Sequence, residues 1–126
     1  MHTPSTVTSG TVANVLVDTD IFVDHLRGAQ QLTPGKHRLA YSVVTRAELF
    51  AGTTATDAIR QLLAPFRELP IDRAVAERAG RIRRDTGVRL PDALIAATAL
   101  EHQMNLATRN DSDFKAFSGL RIRKLA

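Results

Sequence analysis

The chain contains no cysteine at all. A disulfide staple, a thiolate metal site and a cysteine nucleophile are therefore excluded, and an intracellular location is the easier reading. Aromatic residues make up only 5%, which argues against a surface built for stacking many nucleobases. No apolar run approaches the roughly 18 residues expected of a membrane span; the best candidate, 93-ALIAATAL-100, is far shorter. The opening segment, 1-MHTPSTVTSGTVA-13, lacks a basic n-region and an apolar h-region, so it reads as a flexible tail over residues 1–12 and not as a secretory signal. Together these absences predict a soluble, cytoplasmic protein without membrane association.

What is present suits one domain, over residues 13–126. The chain has 126 residues, 44% hydrophobic and 24% charged, enough for a single core and close to the globular average. A net charge of +4 makes a polyanionic partner worth weighing, since basic groups near phosphates release counterions on association.

The hydrophobic pattern alternates between short strands and helices. Strands are predicted at 13-ANVLV-17, 38-RLAYS-42, 68-ELPI-71, 105-NLATRN-110 and, by alternation, 120-LRIRKLA-126. Between them, helices are predicted from Asp20 to near Gly28, over 43–52, over 54–66 with Pro65 ending or bending it, from an Asp72 cap to Gly87, and over 90–104 with Pro91 in the first turn. Such alternation implies an α/β fold with a mainly parallel sheet covered on both sides.

In open α/β sheets, ligands gather beyond the carboxyl ends of the strands. Asp18 follows the first strand, Glu48 lies in the helix after the second, Asp92 opens the apolar helix, and Asp111 and Asp113 follow 105-NLAT-108. Carboxylates crowded in one crevice raise one another's pKa, and a divalent cation relieves that repulsion. All-oxygen ligands favour Mg²⁺, with Mn²⁺ possible. Taken one at a time, each acid has a plainer role: Asp18 or Asp92 as a helix-terminal residue, and Glu48 as a surface helix former.

The segments 16-LVDTDIFVDHLRG-28, 43-VVTRAELFAG-52, 90-LPDALIAATAL-100 and 106-LATRNDSDF-114 resemble, in order and spacing, the four acidic motifs of PIN-domain ribonucleases, and in particular the VapC toxins of bacterial toxin–antitoxin pairs. The resemblance implies a three-layer α/β/α PIN-like fold and a metal-dependent endoribonuclease that hydrolyses RNA phosphodiester bonds, of structured RNA such as tRNA or rRNA, and so inhibits translation. It places Asp18, Glu48, Asp92 and Asp113 as metal-binding catalytic acids, with Asp111 as the alternative fourth ligand, and Thr108 and Asn110 as polar supports. Asp20 reads first as a helix cap and second as an outer support; Asp24 is placed to pair with Arg27 or meet a partner. Arg27, Arg46, Arg89 and Arg109 adjoin the motifs and are candidates for phosphate contacts, while Arg83 and Arg84 face outward. The resemblance also implies a VapB-type antitoxin as partner and a homodimer, with Phe22, Leu26, Leu49 and Phe50 as a candidate groove. Two other readings stand beside it. The stretch 15-VLVDTD-20 resembles the start of haloacid dehalogenase-type phosphatases, although the Gly-Thr pair that follows there is missing, and a non-catalytic PIN-like module could bind RNA or protein.

Overall fold

The computed structural model describes residues 12–114 and 117–125; the predicted tail, apart from Val12, lies outside them. Four strands form one parallel sheet: β1 (Asn14–Val17), β2 (Arg38–Ser42), β3 (Arg67–Leu69) and β4 (Asn105–Ala107), in the order β3-β2-β1-β4. Strand order reverses at β1, so the crevice between the ends of β1 and β4 is the switch point where a ligand site is expected in this architecture.

Six helices accompany the sheet among the described residues: α1 (Thr19–Leu26), α2 (Val43–Ala51), α3 (Thr56–Leu63), α4 (Arg73–Thr86), α5 (Leu90–Glu101) and α6 (Asp111–Phe114). Strand β1 shows how the two faces are made. Val15 and Val17 point into one core with Phe22 of α1, Leu49 of α2 and Ile59 and Leu63 of α3. Leu16, between them, points the other way, to Ile95, Ala96 and Ala99 of α5 and to Phe114. All three strand residues are fully buried, which is why the run is continuously apolar and not alternating. Helix α4 packs outside α5 through Val75, Ala79, Ala93 and Ala97, where alanines let the two helices approach closely.

The helix boundaries follow local chemistry. Ser42 accepts a hydrogen bond from Val44 N and Asp72 accepts one from Val75 N, each capping its helix. Gly87 ends α4 at φ +75°, in the left-handed region that suits glycine, and Arg83 Nη1 donates to the carbonyls of Gly87 and Val88. Helix α3 stops at Leu63, ahead of Pro65. One predicted element does not form as such: over 120–125 the chain makes a single parallel bridge, Leu106 to Ile122, fastened by Leu106 N to Arg121 O and Arg123 N to Leu106 O at 2.8 Å each. β4 has only three residues, too few to template a longer partner. No helix among the described residues is long and apolar enough to cross a membrane.

Candidate metal and catalytic site

Asp18 stands where β1 becomes α1. Its backbone N donates to Ala107 O at 2.9 Å, tying it to the end of β4. Its Oδ1 accepts from Thr19 N and its Oδ2 from the Thr108 hydroxyl, both at 2.8 Å. The residue is only 6% exposed. Burial, reinforced by the charges of Asp20 and Asp92, pushes its pKa up to about 7 against the two hydrogen bonds, which favour the charged form.

Asp18 is thus itself the cap of α1, and the expectation that Asp20 caps this helix is corrected. Asp20 lies one residue inside the helix, where its side chain swings toward the end of β4. Its Oδ2 accepts from Arg109 N at 3.1 Å and lies 3.3 Å from Thr108 Oγ1, whose single proton is committed to the shorter contact with Asp18. Its Oδ1 is buried without a hydrogen-bond partner. Burial raises this carboxyl too, opposed by the backbone N–H and guanidinium of Arg109.

Glu48 comes from α2, where Thr19 Oγ1 donates to its Oε1 at 2.6 Å. Asp92, in the first turn of α5, is half-buried; burial raises its pKa, Arg89 opposes the shift, and the charges of Glu48, Asp113 and Asp20 add to it. Asp113 accepts from Asn110 Nδ2 at 2.6 Å, and Asn110 N in turn donates to Thr108 Oγ1 at 3.0 Å. Asp113 and Asp92 line one shallow depression with Arg89, whereas Asp111 lines a separate cleft of about 230 Å³ with Asp24 and Arg109. The four predicted acids and Asp20 therefore share one electrostatic neighbourhood, and Asp111 stands apart from Asp92.

The predicted cations divide. Arg89 sits at the start of α5 beside Asp92, and Arg27 is exposed at the end of α1. Arg109 Nε pairs with Asp24 at 3.2 Å, replacing the predicted Asp24–Arg27 pair. Arg46 is occupied by Glu68 and by Tyr41 Oη, so it belongs to the scaffold. Of the candidate groove, Phe22 and Leu49 are core residues, while Leu26 and Phe50 are partly buried.

Two hydroxyls escaped the sequence reading. Thr19 contacts Glu48 across 29 residues, and buried Thr45 contacts Thr19 at 2.9 Å. The available signal was Thr45 lying three residues before Glu48, on the same helical face.

Among the described residues, no three acidic or histidine side chains converge tightly enough to enclose an ion unaided. The donors nonetheless fit a hard divalent cation that keeps much of its water and engages a few carboxylates: the set is all oxygen, one buried oxygen lacks a partner, and three neighbouring carboxyls are raised by burial and mutual repulsion.

Residues 15–120 match the family model described as PIN domain. Ribonuclease VapC10 of Mycobacterium tuberculosis (strain H37Rv) is 39% identical over 85% of this chain and 90% of its own length. Among solved structures, the toxin-antitoxin complex from Klebsiella pneumoniae aligns with TM-score 0.73 and 34% identity, covering 84% of this chain and 94% of that one. VapBC-5 from Mycobacterium tuberculosis, a member of the VapBC family of toxin-antitoxin systems, aligns with TM-score 0.70 and 27% identity over 90% and 99%.

Proposed function

This chain belongs to the PIN-domain family, among its VapC ribonuclease toxins, and from that premise we propose that it is a Mg²⁺- or Mn²⁺-dependent endoribonuclease acting at the Asp18 crevice. The observation that carries the reading is Asp18 itself, buried at the switch point and raised to about 7 by burial and by Asp20 and Asp92. Such an arrangement is costly to the fold and is typical of groups held for chemistry.

Asp18, Asp92 and Asp113 would hold the ion, with Glu48 ligating through water or orienting the attacking water. When bound, the ion supplies positive charge to the scissile phosphate and makes a neighbouring water more acidic. The remaining work falls to the chain. Thr108 orients Asp18 through its proton, Asn110 orients Asp113, and Asp20 holds the backbone just beyond β4 by accepting from Arg109 N. Arg89, which lines the depression with Asp92 and Asp113, is the first candidate for a phosphate contact, with Arg27 and Arg109 as further candidates. No residue forms a covalent bond to the substrate in this scheme.

The few aromatics favour recognition of a structured RNA by shape over base stacking. A VapB-type antitoxin is the proposed neutralising partner, supported by the complexes that the aligned structures form, with partly buried Leu26 and Phe50 as contact points beside the site; a homodimer is proposed with it. The family match leaves the phosphatase reading of VLVDTD behind.

Purified protein should cleave RNA with Mg²⁺ or Mn²⁺, lose the activity in excess EDTA, and lose it in Asp18→Asn. Equal cleavage by wild type and Asp18→Asn would overturn the site and point to a contaminating nuclease. Expression in bacteria should arrest growth, and co-expression of the cognate antitoxin should relieve it.

A further inference from the structure

Glu48 is held by a hydroxyl chain whose direction is fixed by proton counting. Thr19 Oγ1 has one proton, and it goes to Glu48 Oε1 at 2.6 Å. Toward Thr45 Oγ1, 2.9 Å away, Thr19 can then only accept, so Thr45 must donate. Thr45 is completely buried on α2 and Thr19 is the first residue of α1, so the hydroxyl chain joins the helix that carries Glu48 to the start of the helix that Asp18 caps. Thr19 also donates its backbone N–H to Asp18 Oδ1. One residue thereby registers both acids, each through a different atom, and Glu48 Oε2 keeps no protein partner among the described residues.

We propose that Thr45 and Thr19 are positioning residues: the ordered relay Thr45→Thr19→Glu48 locks the Glu48 carboxylate so that Oε2 is presented to the cation or its water. The inference rests on the metal-ribonuclease reading. Partners of this kind tune affinity and rate through the groups they orient, without touching ion or substrate.

The test uses the full chain and two readouts: Mn²⁺ binding without RNA, followed by the electron paramagnetic resonance of free Mn²⁺, and steady-state RNA cleavage. Thr19→Val should weaken Mn²⁺ binding about tenfold and lower kcat by roughly 10–100-fold, with KM for RNA within about twofold of wild type. Thr45→Val should cost less, about 3–10-fold, because Glu48 keeps its direct bond while the Thr19 hydroxyl loses its orientation. Thr19→Ser and Thr45→Ser retain the hydroxyls and should recover both readouts to within about twofold, although each loses a methyl contact. Because the relay is in series, Thr19→Val/Thr45→Val should match Thr19→Val alone. Thermal melts identify any variant that fails to fold, and the serine pair keeps the comparison available in that case.

Serine variants as impaired as the valines, or additive losses in the double variant, would overturn the relay and leave a packing role. Loss of Mn²⁺ binding in Asp18→Asn without loss in Thr19→Val would overturn the inference while sparing the metal site. Unchanged binding in both would overturn the metal site and the inference with it.

Discussion

Two polar clusters border the same sheet and are built on opposite terms. On the β2–β3 side, Arg46 donates to Glu68 and to Tyr41 Oη, so each charge meets its opposite. At the switch point, Asp18, Asp20 and Asp92 crowd together; Arg109 and Arg89 oppose the shifts of Asp20 and Asp92, yet burial still raises all three. The first cluster is what a fold adopts when only stability is at stake. The second sets like charges together under burial, a local cost to the fold and the pattern expected where groups are held for chemistry.

Asp18→Asn should break the contrast most sharply. RNA cleavage is expected to fall by about 10³-fold, while the metal-free protein melts at a higher temperature because a buried, repelled charge has gone. A variant both inactive and less stable would show that Asp18 is a structural keystone and not a strained ligand. The pH dependence of that stability comes next. With a folded value of about 7 against 3.8 unfolded, folded Asp18 holds a proton that the unfolded chain has released across that interval. Its penalty is therefore absent below about pH 4 and grows until about pH 7, at about 1.4 kcal/mol per pH unit and so to a few kcal/mol at most. Metal-free wild type should lose stability relative to Asp18→Asn as pH rises through this range, and urea titrations at pH 4.5 and 8 would read the difference. Parallel curves for the two proteins would contradict it.

Within the acidic cluster, Asp113→Asn should lower cleavage about 10²-fold and Asp111→Asn no more than about threefold, as measured by initial rates at saturating Mn²⁺. The reverse ranking would move the site toward the Arg109 cleft. The smallest effect belongs to the paired cluster: Glu68→Gln should destabilise by at most about 1 kcal/mol, since Arg46 and Glu68 are over a third exposed, and should leave cleavage within about twofold.

The positions of these acids in the fold were legible in the sequence because local landmarks bracket them: the VLV run before Asp18, the Pro91 helix start before Asp92, the Gly52 stop after the Glu48 helix. Their supports were less legible, because a side chain's direction depends on neighbours far away in the chain. Asp20 looked like a cap from its position, yet the end of β4, some 88 residues on, draws its carboxylate outward. Thr19 and Thr45 looked like helix residues of no special kind until the fold set them 2.9 Å apart. Alternation in RIRKL suggested a strand, but pairing requires a partner of matching length, and β4 offers three residues.

The sheet order also sets a schedule. β1 is central, and its neighbour β4 comes from the far end of the sequence; the Thr108–Asp18 bond closes a loop of 90 residues. Non-local pairings of this kind form late, after the entropy of a long loop has been overcome. A growing chain on the ribosome thus carries Asp18 and Glu48 through most of its synthesis with neither Thr108 nor Asp113 to complete them. The crevice cannot assemble until residues 105–113 have been made, so the first acids wait for partners that lie some 90 residues further along the chain.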